Sequence, residues 1–484
     1  MNRDDVVPPL VLQADYLETP MLLFGGDALA LSSYVGLVTY GPLELPSQPP
    51  KSLIILYPGK SEFKNVAVKV KDALENGYKR YFPRSFKTIF RVDVDLELVE
   101  IDTSKYSLHR SDETATEYYT KFIEVCGDKD ECLPMILMNK VPEGLEMSLY
   151  TEVKSKFTLS GIPIQVFTYE TFSDQEKFRW SVFPLALQIF VKMGGVPFVL
   201  KGDSLSIPED EKVLILGLGL SKVSLRQKEA TYVAFTTVFE SNGRWRLIKW
   251  SPQPYNRGLL IQLIRNTIVN TVDEVLSNYL VSKPVKLHVI VHYSGKNISV
   301  DEETVLMSAC QDLRQVRGID VKPYIVKIQE SMYVSYDTEN ECIKDRVPTN
   351  LPNVGTVIKL KDDLYLLYTA GCVTVQTPEG GVICRPNARG SPSPLIVSIK
   401  RLEGVKYELK DLDLIKSVFL MARMNYMSIN NPVSKLPITV KYTKSLAYMT
   451  HKILGSIVRG HSERASASID SLIPERLKNK LWFI

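Results

Sequence analysis

The first half of the chain alternates between two hydrophobic periods. Apolar runs of strand length alternate with stretches of helical spacing: Ser52–Tyr57 precedes Glu62–Gly77, and Met135–Met138 precedes Leu149–Leu159. Strands that alternate with helices in this way form parallel α/β sheets, because each helix crosses back over the sheet. The same patterns predict strands at Ile89–Glu97 and Ile164–Thr168, and helices at Ser111–Val125 and Gln175–Met193.

The second half begins with strands rather than with a strand–helix pair. The apolar run Val213–Leu220 predicts a strand, and two further strands, Ala230–Glu240 and Arg244–Trp250, flank Asn242-Gly243, a strong hairpin signal. Helix, strand, helix and strand follow, which is the element order of an RNase H-like fold. The predicted elements from there onward are Leu259–Tyr279, Lys286–His292, Glu302–Val316, Val321–Val326, Gly355–Leu360, Leu364–Thr369, Leu395–Arg401, Asp411–Met424, Leu446–Arg459 and Ser466–Lys480.

Composition excludes several classes of protein. With 45% hydrophobic and 24% charged residues, the chain is neither disordered nor fibrous. No signal peptide is expected, and the longest apolar run, Phe183–Val191, is interrupted by Gln188 and too short to cross a bilayer. The six cysteines have no CxxC spacing, so we expect neither a zinc site nor a disulfide framework. We expect the protein to reside in a reducing cytoplasm.

Positive charge is concentrated at the end of the chain. The net charge is only +4, but residues 441–484 hold eight Lys or Arg against three Asp or Glu. The preceding residues therefore carry slightly more acids than bases. Such a segment indicates either a phosphate-facing surface or a solvated basic helix, and charge alone does not distinguish the two.

Several short strings occur in order along nearly the whole chain. Ile162–Thr168 has the form of an "IPxQ" strand, and Lys192–Pro197 that of a "KxGGxPW" junction with Phe198 in place of Trp. In this order the strings resemble the MID–PIWI half of Argonautes. The resemblance implies an α/β protein with a Rossmann-like MID domain followed by an RNase H-like PIWI domain. The expected divisions are a linker-like, irregular segment at 1–45, MID at 46–200 and PIWI at 201–484. Further matching strings are Leu23–Gly26, Gly36–Pro42, Gly390–Leu395, Met424–Tyr426 and Leu436–Tyr442.

A guide-binding site follows from the same resemblance. Tyr150 and Lys154 are spaced i, i+4 and would share one helix face. In Argonaute MID domains such a pair, with a Gln and a second Lys, holds the guide 5′-phosphate, and the matching positions here are Gln165 and Lys192. The resemblance also implies Mg²⁺ at the guide 5′ end, held by Gln165 and the terminal carboxylate of Ile484. The alternative is a solvated helix face and a tail buried for packing alone.

The acidic residues of Argonaute slicers are missing. A two-metal nuclease site needs several carboxylates to hold its cations. The family's first aspartate position falls at Gly219, the second at Ser294 and the last ligand at Lys444. The glutamate finger would lie between the first two, yet Ser241 through Val272 contains no Asp or Glu. One substitute, Glu240 or Asp273, would not assemble a two-metal centre, so we expect no nuclease activity.

The resemblance is closest to inactive, short archaeal Argonautes that act with partner proteins. It implies a guide, expected to be RNA, and a target, expected to be DNA, recognised without cleavage in antiviral or anti-plasmid defence in the cytoplasm. The implied partners are an Argonaute-like subunit that supplies the missing N-terminal half and a membrane effector acting indirectly, with no membrane insertion by this chain. Two alternatives remain: a guide-dependent endonuclease with a rearranged metal site, and an interaction scaffold that binds no nucleic acid.

Overall fold

The computed structural model contains two main sheets joined by a short segment. It describes residues 11–102, 111–140, 149–202, 205, 207–208, 210–225, 228–254, 257–278, 286–294, 300–339, 343–344, 347–376, 382–386, 392–402, 408–429, 433–460, 474, 477 and 480–483. The chain begins with β1 (Ala14–Tyr16), β2 (Leu22–Leu23), a 3-10 turn (Gly25–Asp27), β3 (Leu29–Ala30) and α1 (Ser33–Tyr40). Irregular structure was expected here, but β1 joins the large sheet and the Ser32 hydroxyl caps α1.

The first main sheet has four parallel strands in the order β5-β4-β6-β7. Apolar side chains fill β4 and β6 almost completely, as expected of strands covered on both faces. The elements of this layer are β4 (Ser52–Pro58), α2 (Ser61–Asn76), α3 (Phe86–Phe90), β5 (Asp95–Ile101), α4 (Ser111–Cys126), β6 (Cys132–Met138), α5 (Leu149–Leu159), β7 (Gln165–Thr168), α6 (Tyr169–Phe172) and α7 (Gln175–Lys192).

The second main sheet has ten strands in the order β1-β17-β18-β21-β14-β13-β9-β11-β10, with β12 beside β11. Two small hairpins, β15 with β16 and β19 with β20, lie outside it, and β8 pairs with β2. Its elements and those that follow are β8 (Val199–Leu200), β9 (Glu211–Leu218), β10 (Leu220–Leu225), β11 (Lys228–Glu240), β12 (Trp245–Pro254), α8 (Arg257–Asn278), β13 (Lys286–Tyr293), α9 (Val300–Arg317), β14 (Asp320–Glu330), β15 (Ile343–Lys344), β16 (Val347–Pro348), β17 (Thr356–Lys361), β18 (Leu364–Leu367), β19 (Cys372–Gln376), β20 (Val382–Pro386), β21 (Leu395–Lys400), α10 (Asp411–Arg423) and α11 (Ile438–Gly460).

Three central strands of the large sheet, β9, β13 and β14, are parallel, so their carboxyl ends meet at one edge. His292 lies opposite Gly217 on one side and Val326 on the other. Gly219, Ser294 and Glu330 follow or end these strands, and we call this edge, defined by those three residues, the carboxyl edge. In an open α/β sheet, ligands bind at the carboxyl ends of the parallel strands.

Two element predictions were wrong in their bounds. Ile89–Glu97 was expected to be one strand, but α3 occupies Phe86–Phe90 and β5 begins only at Asp95, because the Ser85 hydroxyl caps a helical turn. Helix α11 begins at Ile438, well before the predicted start at Leu446. The predicted helix Ser466–Lys480 lies largely outside the described residues.

The expectation about cysteines was also wrong. Cys126 and Cys132 form a disulfide with a Cα–Cα distance of 6.0 Å, because the turn after α4 returns the chain directly into β6. Cys372 is disulfide-bonded as well, and Cys310 is a buried free thiol. None of the helices in the described part of the chain has both the length and the apolar character needed for a membrane span.

Candidate nucleic-acid interface

Three of the four predicted guide-binding residues meet where the two layers join. Lys154 lies on α5, Gln165 begins β7 and Lys192 ends α7. The Lys192 ammonium donates to the Gln165 carboxamide oxygen at 2.5 Å, and the Lys154 ammonium donates to the Ile164 carbonyl at 3.3 Å. We call this cluster, Lys154, Gln165 and Lys192, the lysine pocket.

Both ammonium groups of the lysine pocket are buried without a carboxylate partner. Lys154 is 3% exposed and Lys192 0% exposed, and neither forms an ion pair with a carboxylate of the described residues. Burial lowers the pKa of Lys154 to about 8. Burial and then repulsion from Lys154 lower the pKa of Lys192 well below its ordinary value. Two neighbouring buried cations are costly, and an anion between them would remove that cost.

Tyr150 lies one helical turn before Lys154, as its spacing predicts. Its hydroxyl, however, lies 3.7 Å from the Met449 sulfur of α11, and burial raises its pKa to about 12. No hydrogen bond joins it to the other three predicted residues within the described chain. The structure therefore places Tyr150 at the wall between α5 and α11, beside the lysine pocket rather than in its hydrogen-bond network.

A hydrogen-bonded chain extends from the lysine pocket into the second half of the molecule. The Gln165 amide donates to the Gln188 side-chain oxygen at 3.3 Å, and the Gln188 amide donates to the Met427 carbonyl at 3.3 Å. The Met427 N–H and the Lys441 ammonium both donate to the Asn425 side-chain oxygen. Local sequence patterns did not indicate these roles. The polar Gln188 within an apolar run was the one signal for its position, and Asn425 and Lys441 lie inside the matching strings.

Burial also lowers the pKa of Lys441, which makes it a third shielded cation on the same network. The C-terminal tail packs close to it: Leu481, Trp482 and Phe483 are buried, and the Phe483 ring contacts that of Tyr442 at 5.7 Å between centroids. The predicted metal ligand Ile484 lies outside the described residues.

The described residues of the lysine pocket do not by themselves fit Mg²⁺. The Gln165 oxygen, the expected protein ligand, already accepts a hydrogen bond from Lys192. Two ammonium groups would repel a divalent cation, whose preferred ligands are carboxylate and phosphate oxygens. The donors present fit an anion instead.

At the carboxyl edge, the position expected for the first aspartate of a nuclease is tightly packed. Gly219 stands at the break between β9 and β10, which pair consecutively along β11. A Cβ atom at Gly219 would lie 3.1 Å from the Cβ of Thr443, which is buried on α11. The Thr443 hydroxyl donates to the carbonyls of Thr439 and Val440 at 2.9 Å, so this side chain is fixed against its own helix.

Two lysines, Lys435 and Lys444, lie against Glu330, and we include them in the carboxyl edge. Glu330 lies 3.1 Å from the Lys435 ammonium and 3.8 Å from the Lys444 ammonium. All three side chains are about half exposed. Ser294, directly after β13, is half-buried. Glu240 and Asp273, the substitutes considered above, are paired instead with Arg246 and Arg317.

A buried, neutral histidine lies in the core behind this edge. His292 is fully buried, and burial lowers its pKa to about 3. Its Nδ1 lies 2.8 Å from the Thr439 hydroxyl and its Nε2 2.9 Å from the Ser417 hydroxyl. The side chain therefore joins β13 to α10 and α11, as a strand-end residue.

A single group of metal-capable side chains is found among the described residues, and it lies at the opposite edge. Glu211, His288 and Glu408 have ligand atoms within 4.8 Å of one another. The Lys286 ammonium lies 2.9 Å from Glu211 and 2.5 Å from Glu408, and so already provides a cation at this site. We interpret the group as an ion-pair network that joins β9, β13 and the segment before α10.

A sequence model of the Piwi domain matches residues 136–376, about half of the chain, and the fold is Argonaute-like. The predicted fold class, Rossmann-like MID followed by RNase H-like PIWI, is thereby confirmed. Among solved structures, the chain resembles Clostridium butyricum Argonaute bound to a guide DNA (5′ deoxycytidine) and a 19-mer target DNA, with a TM-score of 0.63 and 16% identity. The match covers 98% of this chain and 55% of that one, so this chain spans about half the length of that Argonaute. No curated protein matches the sequence.

Proposed function

We propose that this chain holds a nucleic-acid guide by its 5′-phosphate and recognises a complementary target by base pairing, without cutting it. The observation that carries the proposal is the pair of buried ammonium groups in the lysine pocket. A terminal phosphate carries nearly two negative charges and three acceptor oxygens. Bound there, it would neutralise both lysines and form charge-assisted hydrogen bonds, each stabilising the complex by about 1.5–3 kcal/mol.

The proposal has the guide anchored between the two layers. The chain of hydrogen bonds through Gln188 and Asn425 ties the pocket to Lys441 of α11, so the site would be formed by both halves together. An A-form-like duplex is recognised by its backbone and shape, while base pairing supplies the sequence specificity. The carboxyl edge, which is open to solvent at Glu330, Lys435 and Lys444, would then face the duplex.

The absence of cutting is part of the proposal. Among the described residues, the carboxyl edge offers the single carboxylate Glu330, and it is paired with two lysines. Two divalent cations need more anionic oxygens than this. The guide-dependent endonuclease with a rearranged metal site is the alternative that a cleavage assay with Mg²⁺ or Mn²⁺ and a labelled target would reveal.

Further parts of the proposal rest on the family resemblance. The guide is RNA and the target DNA, whereas the matched Clostridium butyricum structure holds DNA for both. The chain acts in the cytoplasm in antiviral or anti-plasmid defence together with an Argonaute-like subunit and a membrane effector, and it does not itself insert into the membrane. The nucleic acid and proteins that co-purify from the native host would test each of these points.

The direct test compares two oligonucleotides that differ only at the 5′ end. Filter binding should show that the 5′-phosphorylated form binds at least about tenfold more tightly than the 5′-hydroxyl form, the equivalent of one lost charge-assisted bond. Equal affinity for the two would contradict the proposed pocket. No binding of either would favour the interaction scaffold.

A further inference from the structure

An apolar segment beside the carboxyl edge is held in place yet left exposed. Residues 331–337 follow β14 without regular structure. Met332 is 97% exposed, Tyr333 57%, Val334 54% and Tyr336 65%. Four large apolar side chains exposed within five residues are unusual in a folded protein, and such patches mark binding surfaces.

The segment is anchored at several points. The Ser331 hydroxyl donates to the Pro394 carbonyl at 2.7 Å, and the Ser335 hydroxyl is bonded to the hydroxyl of the buried Tyr368. The Asp337 N–H donates to the Asn350 carbonyl at 2.9 Å. These bonds hold the backbone to the sheet, and the side chains between them face solvent.

The charge beside the segment indicates what it binds. Glu330 immediately precedes it, and the Lys435 and Lys444 ammonium groups lie 3.1 and 3.8 Å from that carboxylate. Two half-exposed cations therefore lie at the start of a segment that carries two exposed aromatic rings. Lysines that meet phosphates and rings on which bases stack are the elements of a single-strand nucleic-acid platform.

We propose that the surface formed by Met332, Tyr333 and Tyr336 with Lys435 and Lys444 binds unpaired bases of a nucleic-acid strand that leaves the guide–target duplex. Neither tyrosine ring stacks on another aromatic ring of the described residues, so its faces are available. Bases inside a duplex are already stacked on each other, so these rings select unpaired bases. This inference rests on the proposed function and assigns a second binding surface to it.

The test uses protein loaded with a 5′-phosphorylated guide and fluorescein-labelled DNA targets that are either blunt or extended by an unpaired overhang at one end or the other. Fluorescence anisotropy should show tighter binding of one overhang target. The Tyr333→Ala/Tyr336→Ala variant should lose that gain, about tenfold, the scale of base–aromatic stacking. The Tyr333→Phe/Tyr336→Phe variant should keep it, because the ring faces remain.

A matched control is Trp180→Ala, which removes a half-exposed aromatic side chain from α7, far along the chain from this surface. It should bind the overhang as the wild type does. A wild type that gains nothing from either overhang, or an alanine variant that keeps the gain, would overturn the inference and leave the surface to a protein partner. Failure of guide loading itself would instead contradict the proposed function.

Discussion

The lysine pocket and the carboxyl edge each contain two lysines, but the two pairs differ in their exposure to solvent and in their pairing with a carboxylate. Lys154 and Lys192 are buried and lack a described carboxylate partner, whereas Lys435 and Lys444 are about half exposed and share Glu330. Exposed pairs contribute little to stability, because water already solvates both partners. Buried unpaired cations carry a large desolvation cost.

This difference separates two kinds of binding. The lysine pocket is incomplete until an anion enters it, so it should select strongly for one chemical group at one place. The carboxyl edge is partly neutralised by its own glutamate and should add weaker, sequence-independent contacts to a strand. The predictions below test that contrast.

The largest effect is expected in the lysine pocket. Lys154→Ala with Lys192→Ala should weaken binding of a 5′-phosphorylated guide by at least about a hundredfold, because two charge-assisted contacts are lost. Filter binding measures this. The matched control is Lys51→Ala with Lys87→Ala, which removes two exposed lysines paired with Glu131 and Asp93. Guide retention by the pocket variant equal to that of the control would remove the basis for the pocket assignment.

A smaller effect of opposite sign is expected at the carboxyl edge. Glu330→Gln should strengthen target binding by about threefold at low salt, because Lys435 and Lys444 lose their carboxylate partner and turn to phosphates. The slope of log affinity against log salt should also become steeper. Titrations at several salt concentrations would show it. Weaker binding would mean that Glu330 itself contacts the nucleic acid.

Removal of the buried charge at Lys154 should stabilise the guide-free protein, although it should weaken guide binding. Because the folded-state pKa of Lys154 is about 8, below its ordinary 10.5, unfolding takes up protons between those values. The guide-free protein should therefore become more stable as pH rises through that window. Lys154→Met removes the buried charge and should raise Tm by about 2 °C at pH 7. A lower Tm, measured by calorimetry, would show that the ammonium is stabilising without a ligand.

No gain of activity is expected from restoring two acidic residues. Gly219→Asp would press against Thr443, and with Ser294→Asp it would still face the ammonium of Lys444. The double variant should not cleave a labelled target in Mg²⁺ or Mn²⁺. Metal-dependent cleavage would show that the edge can be remade into a two-metal site and would contradict the steric argument.

The sequence predicted most of the fold, because the determinants are local. Periodicity placed α5 at Leu149–Leu159, and Asn242-Gly243 lies at the turn between β11 and β12. One local pattern was misleading: α3 forms at the start of a stretch that alternates like a strand. The helix forms because the Ser85 hydroxyl accepts a hydrogen bond from the Thr88 N–H in its first turn. The Cys126–Cys132 disulfide depends on a return of the chain that spacing alone does not reveal.

The sequence predicted which residues form the candidate site, but not how they are buried or which residues they contact. Gln165 and Lys192 were named from matching strings and Lys154 from its spacing to Tyr150, and the fold brings the three together. Their burial, which carries the functional argument, depends on the packing of two layers. The contribution of Gln188 arises from a contact with Met427 at a separation of 239 positions, and Lys441 joins the same network through Asn425. Such contacts leave no local pattern.

Proton uptake on guide binding tests the central claim most directly. At pH 8 the terminal phosphate is already fully charged, whereas Lys154, with a pKa of about 8, is only partly protonated in the guide-free protein. Isothermal titration calorimetry in buffers of different ionisation enthalpy should show an uptake of at least about half a proton for a 5′-phosphorylated guide, because Lys154 is about half protonated at this pH and Lys192, whose pKa is also lowered, adds to the uptake. A 5′-hydroxyl guide should show none, and Lys154→Met should reduce the uptake. Equal uptake for both guides, or none for either, would contradict the account of a pocket that is completed by a phosphate.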